Sequence, residues 1–268
     1  MRLLVFSFGR RTLDIRVENL LAETLANWRA WVPQNYQRLN QIPQVLKKLQ
    51  EGITNDSFLV TCADFKAVVR INCGDSSNLG INRSREMKIQ NLLKDKPFIP
   101  RVLHANNEVQ VREFISGRSL ELNDLANAKI KKLIEICLKD ISTIDVTKYD
   151  KKNYQAYMEN YVNQLEKPES LNIEETIRLA KLIDQADWRP IIAHNDLVPE
   201  NIIYSGKQIY LIDWEYADFA HPFSDKLRLF GRNHFCNQKK GDILTALQVI
   251  QDNTDKLWLE LRKKSYEH

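Results

Sequence analysis

The amino-acid sequence predicts an α+β protein with two lobes. A small lobe over residues 1–115 contains an N-terminal helix and most of the β strands, and a mostly helical lobe covers residues 116–268. Three observations support this division. Short runs rich in β-branched residues are concentrated before residue 115, longer segments with apolar residues at helical spacing dominate after it, and Ser116-Gly117 separates the two patterns. A length of 268 residues suits one large domain or two lobes.

The small lobe begins with an amphipathic segment. Leucines at helical spacing predict a helix over residues 12–31, which Pro33 ends at the latest. A second helix, which carries Glu86, ends before Pro97. The strands predicted in this lobe are residues 58–60, 67–71, 101–104 and 109–115.

The second lobe is predicted to be helical except for one short β region. The predicted helices lie within residues 122–141, 154–165 and 177–183. The β region comprises residues 191–193, 201–204 and 208–212. Gly206-Lys207 between the last two strands predicts a hairpin turn.

The composition excludes several classes of protein. Lys and Arg number 39 against 35 Asp and Glu, and the net charge of +4 is too small to indicate nucleic acid or another polyanion as a partner. No apolar run approaches the ~20 residues of a membrane helix, and the first residues lack a signal-peptide pattern, so no membrane span is expected. The four cysteines form no C-x-x-C pair, and we expect reduced thiols in a cytoplasmic protein.

The most informative motif follows the strand at 191–193. Residues 194–201 have the pattern H-x-D-x-x-x-x-N, and an aspartate, Asp213, follows the next hairpin. Phosphoryl transfer from a nucleotide requires a carboxylate beside the attacking hydroxyl and oxygen ligands for Mg²⁺. Asp196, Asn201 and Asp213 have the spacing at which kinases place these groups. Asn and Asp also favour turns, but the additional aspartate after the hairpin favours the kinase hypothesis over a set of turn formers.

The small lobe contains the residue types expected of a nucleotide site. Residues 51–57 offer hydroxyls and backbone amides for phosphate oxygens, just before a strand. Arg70 lies on the following strand, and Glu86 on the next helix is expected to hold it through a charge-assisted pair. The strand that ends near residue 115 is expected to meet the adenine through its backbone. The predicted nucleotide-binding residues are Thr54, Asn55, Ser57, Arg70, Glu86, Glu113 and Ile115.

Four short motifs resemble a known family. They are Asp-Trp-Glu-Tyr at 213–216, His-Asn-Asp at 194–196, Gly-Ile-Thr-Asn at 52–55, and an arginine, Arg70, where kinases usually have a strand lysine. Together they resemble the choline/ethanolamine kinase and aminoglycoside phosphotransferase family, and within it the bacterial choline kinase and thiamine kinase-like branch. The resemblance extends from about residue 49 to about residue 225.

The resemblance implies a protein-kinase-like two-lobed fold, with a small antiparallel-sheet N-lobe and a mostly helical C-lobe. It also implies ATP and Mg²⁺ as cofactors, Asp196 as the catalytic base, and Asn201 and Asp213 as Mg²⁺ ligands. His194 would be a structural residue. No G-x-G-x-x-G is present and Trp-Glu follows Asp213, so a protein kinase is not expected.

The acceptor of the phosphate is expected to be a small alcohol that carries an amine, of the choline, ethanolamine or thiamine type. Such a cation requires carboxylates and aromatic faces, and the candidates are Glu215, Asp218, Asp225 and Trp258. Two alternatives stay open: an aminoglycoside or amino-sugar phosphotransferase, and a catalytically silent nucleotide-binding scaffold. Aromatic residues in this region are also suited to a protein core.

Overall fold

The structure is a computed structural model that describes residues 14–37, 40–51, 54–72, 77–165, 171–235 and 241–266. Gly52 and Ile53 of the predicted phosphate loop, and the cysteines at 73 and 236, lie outside these residues. Contacts within the chain define two compact units. The first unit consists of residues 1–74 and 101–114, and the second of residues 75–100 and 115–268.

An antiparallel five-stranded sheet forms the described part of the first unit. Its strands are β1 (Gln44–Glu51), β2 (Asn55–Cys62), β3 (Phe65–Asn72), β4 (Val102–Ala105) and β5 (Val109–Glu113). Their order in the sheet is β1-β2-β3-β5-β4. The last four correspond to the strands predicted from the sequence, and β2 and β3 are joined by a turn at Ala63 and Asp64. β1 was not predicted because its lysines, glutamines and leucines favour helix in isolation, and its pairing with β2 contains two register irregularities.

One face of this sheet is covered by helix α1 (Ile15–Ala26). Asp14 caps the helix by accepting the backbone N–H of Arg16 at 2.9 Å. The buried side chains of α1 recur every four residues, and they join Phe58, Val69 and Val111 in an apolar cluster. The short helix α2 (Gln34–Gln37) follows a 3₁₀ turn at Trp28–Ala30. The first unit therefore has an apolar sheet face, which α1 covers, and an opposite face that includes polar side chains.

The second unit is mainly helical. Its helices are α3 (Arg83–Leu93), α4 (Ala128–Ile141), α5 (Tyr154–Val162), α6 (Ile173–Gln185), α7 (Ser224–Phe230) and α8 (Gly241–Tyr266). Its strands are β6 (Arg118–Ser119), β7 (Ile191–Ala193), β8 (Ile202–Tyr204), β9 (Ile209–Leu211) and β10 (Asp218–Ala220). They form a three-stranded sheet in the order β6-β8-β9 and a separate β10-β7 pair. The α+β class predicted from the sequence is therefore confirmed.

The small sheet of the second unit rests on an apolar core and depends on a glycine. Ile134 of α4, Ile202 of β8 and Leu211 of β9 are fully buried in the same apolar cluster. A Cβ atom at Gly117 would lie 2.6 Å from the backbone oxygen of Tyr204, so only glycine allows β6 to approach β8 here. Among the described residues, no helix is both long and apolar enough to cross a membrane.

Candidate active site

The predicted catalytic motif forms the connection between β7 and β8 in the second unit. It ends in a 3₁₀ turn at Pro199–Asn201, directly before β8. Asn195 has φ +61° and Asp213, which follows β9, has φ +66°. Residues other than glycine rarely adopt this left-handed conformation, and such strain is concentrated at functional sites. The two strained positions lie next to, or at, predicted catalytic and metal-binding residues.

The backbone of this loop is held by Asp225 of α7. Its two carboxylate oxygens accept the backbone N–H groups of His194 at 2.8 Å and of Asn195 at 2.9 Å. Burial raises the pKa of Asp225, whereas the charge of His194 and the two backbone hydrogen bonds act in the opposite direction. Both oxygens of Asp225, which the sequence predicted as an acceptor-binding residue, are thus directed at the loop backbone.

His194 connects the loop to the segment that contains Asp213. Its side chain is fully buried, and Nε2–H donates to the carbonyl oxygen of Ile212 at 2.7 Å. The imidazole also packs against Trp214, with ring centroids 4.7 Å apart. These contacts fit the structural role that the family resemblance implied for this residue.

The Asp196 side chain is held at both carboxylate oxygens. Oδ2 accepts from Asn201 Nδ2 at 3.2 Å, and Oδ1 accepts from Arg228 Nη2 at 3.2 Å. Burial raises the pKa of Asp196, and the neighbouring charge of Asp213 raises it further, while His194 and Arg228 lower it. The side chain keeps 31% of its surface exposed, so a substrate hydroxyl can reach it.

Asn201 and Asp213 offer oxygen ligands on connected segments. The amide nitrogen of Asn201 donates to the carbonyl oxygen of Asp196 at 2.9 Å, so the amide oxygen is the atom with which Asn201 can coordinate a cation. The backbone N–H of Ile212, the residue before Asp213, donates to the carbonyl oxygen of Asn201 at 3.0 Å. Within the described ranges, no cluster of three or more His, Cys, Asp or Glu side chains could hold a metal ion. An amide and one carboxylate nevertheless fit Mg²⁺, which takes its other ligands from phosphates and water.

Two of the predicted acceptor-binding carboxylates pair with arginines of α3. Arg83 Nη1 donates to Glu215 Oε2 at 3.0 Å and to Glu86 Oε2 at 2.9 Å. Arg85 Nη1 lies 2.8 Å from Asp218 Oδ2. Glu86, predicted as a partner of Arg70, is buried in the second unit, and its pairing with Arg70 stays a prediction.

An aromatic cluster lies close to these charges. Trp258 Nε1–H donates to the hydroxyl of Tyr216 at 2.9 Å, which connects α8 to the segment after Asp213. Burial raises the pKa of Tyr157 to about 12, the charge of Arg85 lowers it, and the negative charges of Asp218 and Asp196 raise it. Lys152 Nζ lies 3.7 Å from the centroid of the Tyr157 ring. In the aromatic cluster of Tyr157, Tyr216 and Trp258, the ring of Tyr157 is therefore already in contact with a cation of the chain.

The first unit provides a polar sheet face opposite α1. Ser57 of β2, Arg70 of β3 and Gln110 of β5 are direct neighbours across the strands, and all three are buried. Asn55 lies on the same face opposite Asn72. A buried polar row on one face of a sheet is unusual, because polar side chains are mostly exposed and buried ones require hydrogen-bond partners.

The remaining predicted nucleotide residues have the following positions. The hydroxyl of Thr54 accepts from Asn55 Nδ2 at 3.2 Å at the start of β2. Glu113 ends β5 with its carboxylate 3.7 Å from Arg101 Nε. Ile115 is buried and belongs to the second unit. The roles assigned to these residues stay predictions.

Sequence reasoning missed the cations of the site. Arg228 contacts Asp196 from α7, and Arg83 and Arg85 contact Glu215 and Asp218 from α3. The sequence does offer a hint for Arg228. It lies three residues after Asp225, a predicted site residue, and a helix brings residues at this spacing to the same face. A comparable signal existed for Arg83, which lies three residues before Glu86 on α3. None existed for Arg85, because its partner Asp218 is more than 100 residues away in the chain.

Comparisons with known proteins give the family that this sequence matches. A family model described as choline/ethanolamine kinase matches residues 46–236. The chain is 26% identical to ethanolamine kinase 1 of Mus musculus over 202 residues, which is 66% of this chain and 54% of the mouse protein. The chain thus spans about half the length of such curated relatives.

Solved structures confirm the kinase-like α+β fold. The crystal structure of choline kinase LicA from Streptococcus pneumoniae has a TM-score of 0.68 at 22% identity, with 92% of each chain covered. The structure of LicA in complex with AMP has a TM-score of 0.69 at 22% identity and covers 93% of this chain and 91% of that one.

Proposed function

Because the chain belongs to the choline/ethanolamine kinase family, we propose that it transfers phosphate from ATP to the hydroxyl of a small amine-bearing alcohol, of the choline, ethanolamine or thiamine type. The geometry of Asp196 carries this proposal. A partly exposed carboxylate, held at both oxygens beside Asn201 and near the charge of Asp213, matches the arrangement that phosphoryl transfer requires.

In this proposal, Asp196 accepts the proton of the acceptor hydroxyl while the oxygen of that hydroxyl bonds to the γ-phosphorus of ATP. The bond between that phosphorus and the β–γ bridging oxygen breaks, and ADP leaves. Asn201 and Asp213 would hold Mg²⁺, which neutralises phosphate charge when it is bound. Asp225 and His194 keep the loop and the Asp213 segment in register through the contacts described above.

The polar face of the first-unit sheet supports nucleotide binding. The guanidinium of Arg70 suits phosphate oxygens, and the hydroxyls of Ser57 and Thr54 are additional donors. Thr54, Ser57 and Arg70 are buried on or beside that face. The AMP complex of the structurally similar LicA also supports a nucleotide as the donor.

The aromatic cluster supports an amine-bearing acceptor. A cation over an aromatic ring gains about 0.5–2 kcal/mol, depending on how far it is desolvated. In this structure Lys152 lies over Tyr157, and Arg262 lies 5.5 Å from the centroid of the Trp258 ring. Rings that attract cations of the chain itself can also attract the ammonium of a substrate.

The test is ADP release from ATP and Mg²⁺ with a panel of choline, ethanolamine, thiamine and amino sugars. We expect at least one acceptor to be phosphorylated. Asp196→Asn should lower kcat by about 10²- to 10⁴-fold, the usual contribution of a general base, without loss of nucleotide binding. Asp140→Asn is a matched control because Asp140 pairs with Lys96 away from the motif, at 2.6 Å.

Two results would contradict the proposal in different ways. Full activity of Asp196→Asn would remove Asp196 from the role of base. Absence of phosphorylation across the whole panel by the wild-type protein would contradict the kinase function itself. Phosphorylation restricted to amino sugars would reassign the acceptor to the aminoglycoside class.

A further inference from the structure

Two side chains of helix α7, which have opposite charges, contact the same catalytic loop. Asp225 holds the loop backbone, and Arg228, one turn later, contacts the side chain of Asp196. The other guanidinium nitrogen of Arg228, Nη1, donates to Asp255 Oδ2 at 2.5 Å. A continuous chain of contacts thus connects α8, through Asp255 and Arg228, to the carboxylate of Asp196.

We propose that Arg228 is a positioning residue for phosphoryl transfer, and that Asp255 anchors it. The proposal rests on the kinase function proposed above. Arg228 and Asn201 occupy one oxygen each of the Asp196 carboxylate, so rotation of this carboxylate about its Cβ–Cγ bond breaks one contact or both. A base with a fixed orientation presents its remaining lone pairs in one direction, toward the acceptor hydroxyl.

The chemistry of arginine suits this role better than that of lysine. A guanidinium is planar, is always charged and presents several N–H donors in a rigid fork, so one group can contact two carboxylates at once. The bridge between Asp196 and Asp255 uses two different nitrogens of that fork. A lysine would bring a single ammonium and would hold either carboxylate less well.

The three side chains of this arrangement differ in their exposure to solvent. Arg228 is 20% exposed, Asp196 31% and Asp255 48%. The pair with the half-exposed Asp255 contributes about 0–1 kcal/mol to stability. The pair between the less accessible Arg228 and Asp196 contributes to fold stability as well, so the test measures melting temperature beside the kinetics. The half-exposed position of Asp255 also means that it can be substituted without opening the core.

The experiment compares steady-state kinetics of Arg228→Met, Arg228→Lys and Asp255→Asn with the wild type. We expect Arg228→Met to lower kcat by about 10- to 100-fold, the effect of a small misplacement of a reacting group, with KM for ATP and for the acceptor within about 3-fold. Arg228→Lys should have a smaller loss of kcat than Arg228→Met. A fourth variant, Arg228→Ala, tests chemical rescue, and added ethylguanidine should restore part of its kcat. Asp255→Asn should act in the same direction with a smaller effect.

Arg178→Met is the matched control, because Arg178 pairs with the exposed Glu175 on α6 at 2.6 Å and lies outside the site. Unchanged kcat in both Arg228→Met and Asp255→Asn would overturn the proposal. If Arg228→Met lowers KM for the acceptor and leaves kcat unchanged, the proposal is also overturned. Arg228 would then only occupy the place of the substrate cation. If Arg228→Met does not fold, Arg228→Lys and Asp255→Asn decide the question by the same criteria.

The two proposals fail in distinguishable ways. If the wild type phosphorylates no acceptor, the kinase function is contradicted and the role of Arg228 is contradicted with it. If the wild type is active and the Arg228 and Asp255 variants keep its kcat, only the positioning role is wrong. A loss of kcat that neither lysine nor ethylguanidine restores, together with a lower melting temperature, would show a structural role and would also overturn the proposal.

Discussion

Substitution of Asp225 by alanine should lower both the stability and the activity of the protein. The substitution leaves the buried backbone N–H of His194 and the partly buried N–H of Asn195 without their acceptor. Hydrogen bonds to a charged group contribute about 1.5–3 kcal/mol each, so two amount to about 3–6 kcal/mol. Burial raises the pKa of Asp225, which shows that the buried charge has a cost, and its removal offsets part of the loss. We expect a net destabilisation of about 2–4 kcal/mol.

Asp225→Asn should lose about half as much, since its amide offers one oxygen acceptor in place of two. Asp184→Ala is a matched control. Its carboxylate accepts the N–H groups of Tyr154 and Gln155, both at 2.9 Å, at the start of α5 and away from the catalytic loop. Urea denaturation measures the free energy of unfolding, and ADP release measures kcat. The control should have a lower free energy of unfolding and an unchanged kcat. In Asp225→Ala, both the free energy of unfolding and kcat should be lower than in the wild type. Wild-type stability and kcat in Asp225→Ala would refute the reasoning.

Two further predictions concern stability. Gly117→Ala places a Cβ 2.6 Å from the oxygen of Tyr204 and should cost about 2–3 kcal/mol in urea denaturation. Gly206→Ala, with φ +90° and open space around the Cβ, should cost only about 1 kcal/mol, and an equal loss in both variants would contradict the steric argument. For Lys152, burial lowers the pKa from 10.5 to about 8, so the folded state releases the proton first as pH rises. Wild-type stability relative to Lys152→Met should therefore increase between pH 8 and 10.5, and a flat difference in unfolding free energy would show that the pKa is not lowered.

Local signals explain why most elements could be predicted. β2, β3 and β5 are rich in β-branched residues, and α4 and α6 show apolar residues at helical spacing. The contact between Asp196 and Asn201 also follows from a local pattern, because the two residues lie five positions apart on one loop. Short-range patterns of this type do not depend on distant parts of the chain.

Elements that depend on distant partners were missed. Strand β10 (Asp218–Ala220) consists of three residues, and it becomes a strand only because β7 offers a pairing edge. The 3₁₀ turn at Leu122–Ala126 interrupts what reads as one helix over residues 122–141. In that turn, the side chain of Asp124 accepts the backbone N–H of Glu121 at 2.8 Å, and Asn127 then caps α4. Apolar spacing alone does not reveal such a cap inside an amphipathic segment.

The acidic residues after Asp213 show that a carboxylate in a sequence does not reveal what it binds. Glu215 and Asp218 pair with arginines, and Asp225 accepts backbone N–H groups, although the sequence makes all three equally suitable for a substrate cation. Each of these interactions reduces the negative charge that would otherwise attract the ammonium of a substrate. Under the proposed function, recognition of an amine in this unit would therefore depend mainly on aromatic faces such as that of Trp258, together with the charge of Asp196. If Arg228 orients Asp196 as proposed, it also limits the negative charge available to the acceptor, and positioning and acceptor selectivity are then linked at one side chain.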